Sequence, residues 1–131
     1  MLRFAVVLTT CFLVGSSAHA QQTIGDLFTA CEAYERGARR SGTQVSLPNM
    51  DAAMCFGYFT AVHQLAYFYT IEAGGRKVKA LRAMCLPNKG PNITQLIRMF
   101  MAYARANPQT HHEGAVFGVL NAINPAFPCN D

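Results

Sequence analysis

Apolar residues recur at steps of three and four along most of the chain, which is the pattern of helices that bury one face. The first run predicts a helix from residue 24 to about residue 39. Thr23, with Asp26 three positions on, forms a short-armed capping box at its start. The predicted buried stripe of this helix is Ile24, Leu27, Phe28, Cys31 and Tyr34.

The most regular run follows Asn92 or Thr94, either of which can cap a third main helix. An Asn-Pro pair at 107–108 marks its end and the start of a last helix. That last helix is predicted from about residue 108 to residue 124, where Pro125 stops it. The predicted stripes are Ile93, Leu96, Ile97, Phe100, Met101 and Ala104 in the third helix, and Val116, Val119, Leu120 and Ile123 in the last.

Residues 51 to 72 are apolar almost all round, with Asn49 or Asp51 as the cap. A helix with so few charges is usually central and contacted on several sides. A buried strand pair is the alternative, but twenty residues interrupted only by Gly57 favour a helix. The sequence therefore predicts an all-α fold, a small bundle of about four main helices.

Two connections between these helices gather positive charge. The stretch between the first two helices is broken by glycine and proline and is predicted to be solvated. The other follows Gly74-Gly75, and part of it, around 77 to 84, could form a short helix or turn. The basic residues are Arg36, Arg39 and Arg40 in the first connection, and Arg76, Lys77, Lys79 and Arg82 in the second.

The chain opens with Arg3, an apolar run to about Val14, and small residues that end in Ala18-His19-Ala20. This order is typical of a secretory signal peptide, so we predict a leader at residues 1–20 and cleavage after Ala20. The run is short for a transmembrane anchor, which is the minor alternative. Residues 21–131 then form one helical domain, exported to the periplasm and without a membrane anchor.

Four cysteines remain after such cleavage: Cys31, Cys55, Cys85 and Cys129. An even set in an exported chain indicates two disulfides, and free buried cysteines are the alternative. A zinc site is disfavoured, because there is no C-x-x-C pair and the spacings are 24, 30 and 44 residues.

Four cysteines permit three pairings, and spacing alone cannot choose among them. We expect Cys31 to pair with Cys55 and join the first two helices. We expect Cys85 to pair with Cys129, because the entry and exit of an antiparallel helix pair lie at one end. Cys129 would then fasten the last residues of the chain.

The histidines and thiols do not form a catalytic set. His111 and His112 are predicted to be surface side chains at the entry of the last helix, where adjacent positions lie about 100° apart and only one could face a shared ligand. His63 is predicted to be a hydrogen-bonded core or boundary residue. A Cys-His nucleophile would require a free thiol. We therefore predict no enzyme activity, no cofactor and no metal.

The charge balance narrows the class of partner. The segment after Ala20 keeps ten of the eleven Lys and Arg and all seven Asp and Glu, a net charge of +3. This excess is too small and too scattered to favour nucleic acid. The apolar second helix is compatible with a homodimer.

Two segments of the chain together resemble a known protein family. They are "CFGYFTAVHQLAYF" and the stretch from "CLPNKGPNITQL" to the closing "AFPC". Together they resemble the Rap/Tai family of type VI secretion immunity proteins, across roughly residues 50 to 129. The matching positions are Cys55, Gly57 and Tyr58; Cys85 and Pro87; Thr94, Gln95 and Leu96; Pro108; and Phe127, Pro128 and Cys129.

The resemblance implies a periplasmic helical protein that binds and blocks a peptidoglycan amidase effector delivered by type VI secretion. Such a protein needs a rigid surface and no catalytic groups. The candidate contact residues then lie in the two basic connections. They are Arg39 and Arg40 in the first connection, and Arg76, Lys77, Lys79 and Arg82 in the second. Their charges could also be simply solvated.

A second class of function stays open, a small periplasmic chaperone-like or stress-related binding protein with no effector partner. An exposed aromatic patch of Tyr67, Phe68 and Tyr69 would favour it.

Overall fold

The computed structural model describes residues 22–71, 84–87 and 89–128, with the backbone alone for 67–71. Its elements are α1 (Ile24–Gly37), β1 (Arg39–Ser41), β2 (Gln44–Ser46), α2 (Met50–Ile71), α3 (Ile93–Ala106), a 3₁₀ turn (Pro108–Thr110) and α4 (Ala115–Ile123). The all-α prediction is confirmed in its main point, since four helices carry the described fold. The predicted leader at 1–20 lies outside the described residues.

Helices α1 and α3 begin at reciprocal caps. The Thr23 hydroxyl accepts from the Asp26 backbone N–H at 3.1 Å, and the Asp26 carboxylate accepts from the Thr23 N–H at 3.0 Å. Asn92 and Gln95 form the same box at the start of α3, with distances of 3.0 and 2.9 Å. Each box satisfies backbone donors that a helix start leaves open, which fixes both first turns. The predicted cap at Thr23 is confirmed, and α3 is capped by Asn92.

The core lies where α1 meets the other three helices, since α1 contacts α2, α3 and α4. The stripes predicted for α1 and α3 supply most of it, with Phe28 and Ile93 half-buried at its margin. Phe59 of α2 meets Phe100 of α3 with ring centroids 5.5 Å apart. The fully buried large side chains are Ile24, Leu27, Phe59, Leu96, Ile97, Phe100, Met101, Val119 and Ile123.

Helix α2 is not the central helix that its composition predicts. Asn49 caps it, accepting from the Ala52 N–H at 2.9 Å, and Ala52, Cys55, Phe59 and Ala66 are buried. A second face is exposed, with Met50 82%, Met54 43% and Leu65 55% exposed. The shorter α1 contacts all three other helices, as α3 does, whereas α2 packs mainly against α1 and α3.

The connection between α1 and α2 is a β-hairpin, where the sequence predicts only a solvated stretch. Strands β1 and β2 pair antiparallel, with Arg39 opposite Ser46 and Arg40 opposite Val45. Gly42 takes a positive φ of 58° at the tip, a conformation that costs glycine little. The predicted solvent exposure is confirmed, because Val45 is the only strand residue that is even partly buried.

The last helix begins at Ala115, so the predicted start near residue 108 is wrong. Residues 111–114 lie along the start of α1. The carbonyls of His111 and Glu113 accept from α1, and their N–H groups donate back to the carbonyls of Pro108 and Thr110. We call residues 22–25 with residues 111–115 the α1–α4 junction. Its bonds run from Ile24 N–H to Glu113 O at 2.8 Å, from Gly25 N–H to His111 O at 2.9 Å and from Ala115 N–H to Gln22 O at 2.8 Å.

Gly118 allows α4 to approach α1 closely. A β-carbon built at Gly118 would lie 2.7 Å from Cγ1 of Ile24 and 3.3 Å from Cε2 of Phe100. Val119 and Ile123 complete the buried face of α4, whereas Val116 is 49% exposed. The prediction that Val116 belongs to the buried stripe is therefore wrong, because Gly118 occupies that contact.

A disulfide between Cys31 and Cys55 joins α1 to α2, and both residues are fully buried. The predicted pairing of these two cysteines is confirmed. Cys85 is also disulfide-bonded. Its expected partner, Cys129, lies outside the described residues, so that pairing stays a prediction.

Candidate functional site

The predicted contact residues fall into two groups. Arg39 and Arg40 lie on β1 and are both exposed. Arg76, Lys77, Lys79 and Arg82 lie outside the described residues, and their proposed role stays a prediction. Arg39 and Arg40 are thus the predicted contact residues that the described structure contains.

The hairpin forms one wall of an open groove of about 650 Å³, which we call the arginine groove. The end of α1 and the first half of α3 form its other walls. Its lining residues are Tyr34, Glu35, Ala38, Arg39, Arg40, Val45, Asn92, Thr94, Gln95, Ile97 and Arg98. The groove thus joins segments that lie about sixty residues apart in the chain.

A hydroxyl contact closes the floor of the groove. The Tyr34 hydroxyl lies 3.1 Å from the Thr94 Oγ1, which ties the end of α1 to the start of α3. The Tyr34 ring stacks on Phe56 of α2, with centroids 6.0 Å apart. Side chains from three helices therefore meet at the floor of the groove.

Arginines dominate the charge of the groove. The Arg40 Nε–H donates to the Gly42 carbonyl at 3.2 Å, which orients its guanidinium group. Arg98, on the second turn of α3, is exposed and shares the lining. The groove carboxylate, Glu35, is hydrogen-bonded to Arg105. The negative charge of Glu35 is therefore paired with Arg105, and not with Arg39, Arg40 or Arg98.

Arg98 is the residue of this site that the sequence does not reveal. The helical period places it off the buried stripe of α3, which predicts exposure and nothing more. Its position beside the hairpin depends on how α1 and α3 pack. A hairpin signal was available at Gly42, between two short polar runs, and would have placed Arg39 and Arg40 on a strand.

The histidines do not form a second site in the part of the chain that the structure describes. His111 is half-buried, its Nε2–H donates to the Ala104 carbonyl at 3.0 Å, and its ring lies 5.2 Å from that of Phe28. The surface position predicted for His111 is therefore wrong, whereas His112 is exposed as predicted. His63 is half-buried in α2. Within the described ranges, no three His, Cys, Asp or Glu side chains are grouped as metal ligands.

Two pKa shifts have structural causes. Hydrogen bonds from the side chain and backbone of Thr23 lower the pKa of Asp26 below 3.8, which keeps the capping carboxylate charged. Burial raises the pKa of Tyr58 above 10.0. Neither side chain lines the arginine groove.

Exposed apolar side chains are scattered over two helices. Met50, Met54 and Leu65 lie on α2, and Val116 and Phe117 lie on α4. The side chains of Tyr67, Phe68 and Tyr69 lie outside the described set, so the aromatic patch of the chaperone-like alternative is not placed. Over residues 22–71, 84–87 and 89–128, no helix has the length and apolarity needed to cross a bilayer.

Comparisons with known proteins identify a family for this chain. No curated protein and no solved structure matches the chain. The family model of the Rap1a immunity proteins matches residues 23–129, from the cap of α1 to Cys129. The chain therefore belongs to the Rap1a immunity protein family, and this membership implies an immunity protein against a secreted effector.

Proposed function

We propose that this protein acts in the periplasm, where it binds and inhibits a peptidoglycan amidase effector delivered by type VI secretion. The observation that carries the proposal is the family match over residues 23–129. The leader predicted at residues 1–20 supports the periplasmic location. The disulfide-bonded cysteines support it as well, because disulfides persist in oxidising compartments.

The described fold suits inhibition by docking. Cys31 and Cys55 join α1 to α2 inside the core, and the Tyr34–Thr94 contact joins α1 to α3. A surface held in this way loses little conformational freedom when a partner binds, so more of the contact energy contributes to affinity. Inhibition requires that the immunity protein cover the active site of the amidase, and it requires no reactive group of its own.

The direct test is protection of bacterial cells that export a peptidoglycan amidase to the periplasm. Amidases encoded beside the gene for this protein are the first to try. Cells that also produce the full chain should keep growing, and cells that produce residues 21–131 without the leader should lyse. The purified protein should inhibit peptidoglycan cleavage by the same amidase at a one-to-one ratio.

The leaderless chain is the matched control, because it has the same domain in a different compartment. Protection by the leaderless chain would contradict the periplasmic proposal. Lysis of all cells together with no binding to any amidase in the set would contradict the amidase proposal.

A further inference from the structure

We propose that the arginine groove receives an acidic segment of the protein partner, whose carboxylates bind Arg39, Arg40 and Arg98. The identity of that partner as an effector rests on the proposed function. The chemistry of the groove does not, since it follows from the described residues alone.

The arginines of the described chain fall into two sets. Arg36 lies 3.9 Å from Glu32, and Arg105 is hydrogen-bonded to Glu35, so each has a carboxylate partner within the fold. Within the described residues, Arg39, Arg40 and Arg98 have no such partner, and these are the three that line the groove. Among the described arginines, those outside the groove therefore have a carboxylate partner, whereas those that line it do not.

The three guanidinium groups come from two walls. Arg39 and Arg40 lie on β1, and Arg98 lies on α3. The bond from the Arg40 Nε to the Gly42 carbonyl leaves its terminal N–H groups for another acceptor. Because a guanidinium group presents paired donors in one plane, it binds a carboxylate through two parallel hydrogen bonds. The start of α3 adds the positive end of the helix dipole on the same side.

The rest of the lining fits a peptide. Ala38 and Val45 offer partly exposed apolar surface, and the half-buried Thr94 hydroxyl offers a polar contact for a backbone. A groove of about 650 Å³ accommodates a few side chains. Nucleic acid is bound by longer tracks of cations that follow the phosphate backbone, and three arginines in one groove do not form such a track.

The test uses the ¹⁵N-labelled protein and a synthetic hexaglutamate peptide as the probe. Amide resonances of residues 38–46 and 92–98 should shift on titration, whereas a hexalysine peptide should leave them unchanged. The affinity for hexaglutamate should fall as salt increases from about 50 to about 300 mM, because salt screens the attraction between the arginines and the carboxylates.

Charge reversal then assigns the binding to the arginines. Arg98→Glu should weaken hexaglutamate binding at least about tenfold, and Arg39→Glu combined with Arg98→Glu should abolish the shifts. Lys89→Glu is the matched control, since Lys89 is exposed, carries the same charge and does not line the groove. It should reduce the affinity by less than about twofold.

The inference would be overturned if the shifted resonances lay outside the groove, or if Arg98→Glu and Lys89→Glu caused equal losses of affinity. It would also be overturned if the groove bound a deoxythymidine decamer or anionic lipid vesicles more tightly than hexaglutamate. These results are independent of the proposed function. If Arg98→Glu still inhibits an amidase with full affinity, the groove inference fails and the immunity function stands. If hexaglutamate binds the groove but no amidase is inhibited, the proposed amidase inhibition fails and the groove inference stands.

Discussion

The α1–α4 junction lies at the start of α1 and the arginine groove lies at its end, and the two regions use their polar groups in opposite ways. In the junction, three backbone hydrogen bonds link residues 22–25 to residues 111–115, and Gly118 brings α4 against Ile24 and Phe100. In the groove, three arginines lack carboxylate partners within the described fold. A region whose polar groups are satisfied internally stabilises the fold, whereas one with unmatched charge is available for binding.

Among the variants that test this contrast, Phe100→Ala is expected to have the largest effect on stability. Phe100 is fully buried beside Phe59 and Gly118, so we expect a loss of about 3–5 kcal/mol in the free energy of unfolding. Phe117→Ala is the control, because Phe117 is 55% exposed and should cost less than about 1 kcal/mol. Urea denaturation followed by circular dichroism measures both values. Similar losses at the two positions would contradict the assignment of the core.

The next largest effect concerns the covalent link between α1 and α2. Replacing Cys31 and Cys55 together by alanine opens a loop with a sequence separation of 24 residues. The chain-entropy model puts the cost at about 3.5 kcal/mol. Thermal unfolding of the double variant beside the oxidised parent measures it. An unchanged Tm would mean that packing alone holds the two helices together.

Gly118→Ala tests the close approach of α4 to α1 beside the junction. The added methyl group would lie 2.7 Å from Cγ1 of Ile24, so the buried Ile24 side chain or the helices must shift, and the fold should lose about 1–3 kcal/mol. Gly57→Ala is the matched control on the open face of α2, where nothing lies within 4 Å. That control should raise stability by about 0.5–1 kcal/mol, because alanine favours a helix interior over glycine. Destabilisation by both variants would contradict the distinction.

Asp26→Asn should lower Tm by a few degrees at pH 7, because it weakens the capping box at the start of α1. The folded protein lowers the pKa of Asp26 below 3.8, so the carboxylate stabilises the fold above that value. This contribution disappears as the pH falls through the lowered pKa. The Tm difference between parent and variant should therefore shrink in acid, and a difference that grows below pH 3 would contradict the assignment.

The smallest effect is expected in the groove. Arg98→Ala should change the free energy of unfolding by no more than about 0.5 kcal/mol, because Arg98 is exposed and has no partner in the described fold. Denaturation of this variant beside Phe100→Ala compares two positions on one helix. A loss above about 1.5 kcal/mol would mean that Arg98 serves the fold.

The elements whose pattern is local were predictable from the sequence. The capping box of α1 and the stripes of α1 and α3 depend on residues within four positions of one another, and the structure places them as expected. For α3 the sequence offered Asn92 or Thr94 as the cap, and Asn92 takes that position. The pairing of Cys31 with Cys55 was also expected, because it joins helices that are neighbours in the chain.

The elements that depend on distant contacts were not predictable in this way. Residues 111–114 could have begun a helix, but their carbonyls accept from Ile24 and Gly25 instead. His111 turns inwards to the Ala104 carbonyl for the same reason. Arg98 belongs to the groove only because α3 packs against α1, the helix that leads into the hairpin. Hydrophobic periodicity predicts which face of a helix is buried, but it does not predict which element packs against that face.

The position of the hairpin inside the Cys31–Cys55 loop has a consequence for proteolysis. Both strands lie between the two cysteines, so a cut after Arg39 or Arg40 divides the backbone at a point that the disulfide spans. The two pieces would remain joined through α1 and α2 in one folded molecule. Under oxidising conditions, a protease that cleaves this exposed strand would open the groove but would not release either half of the protein.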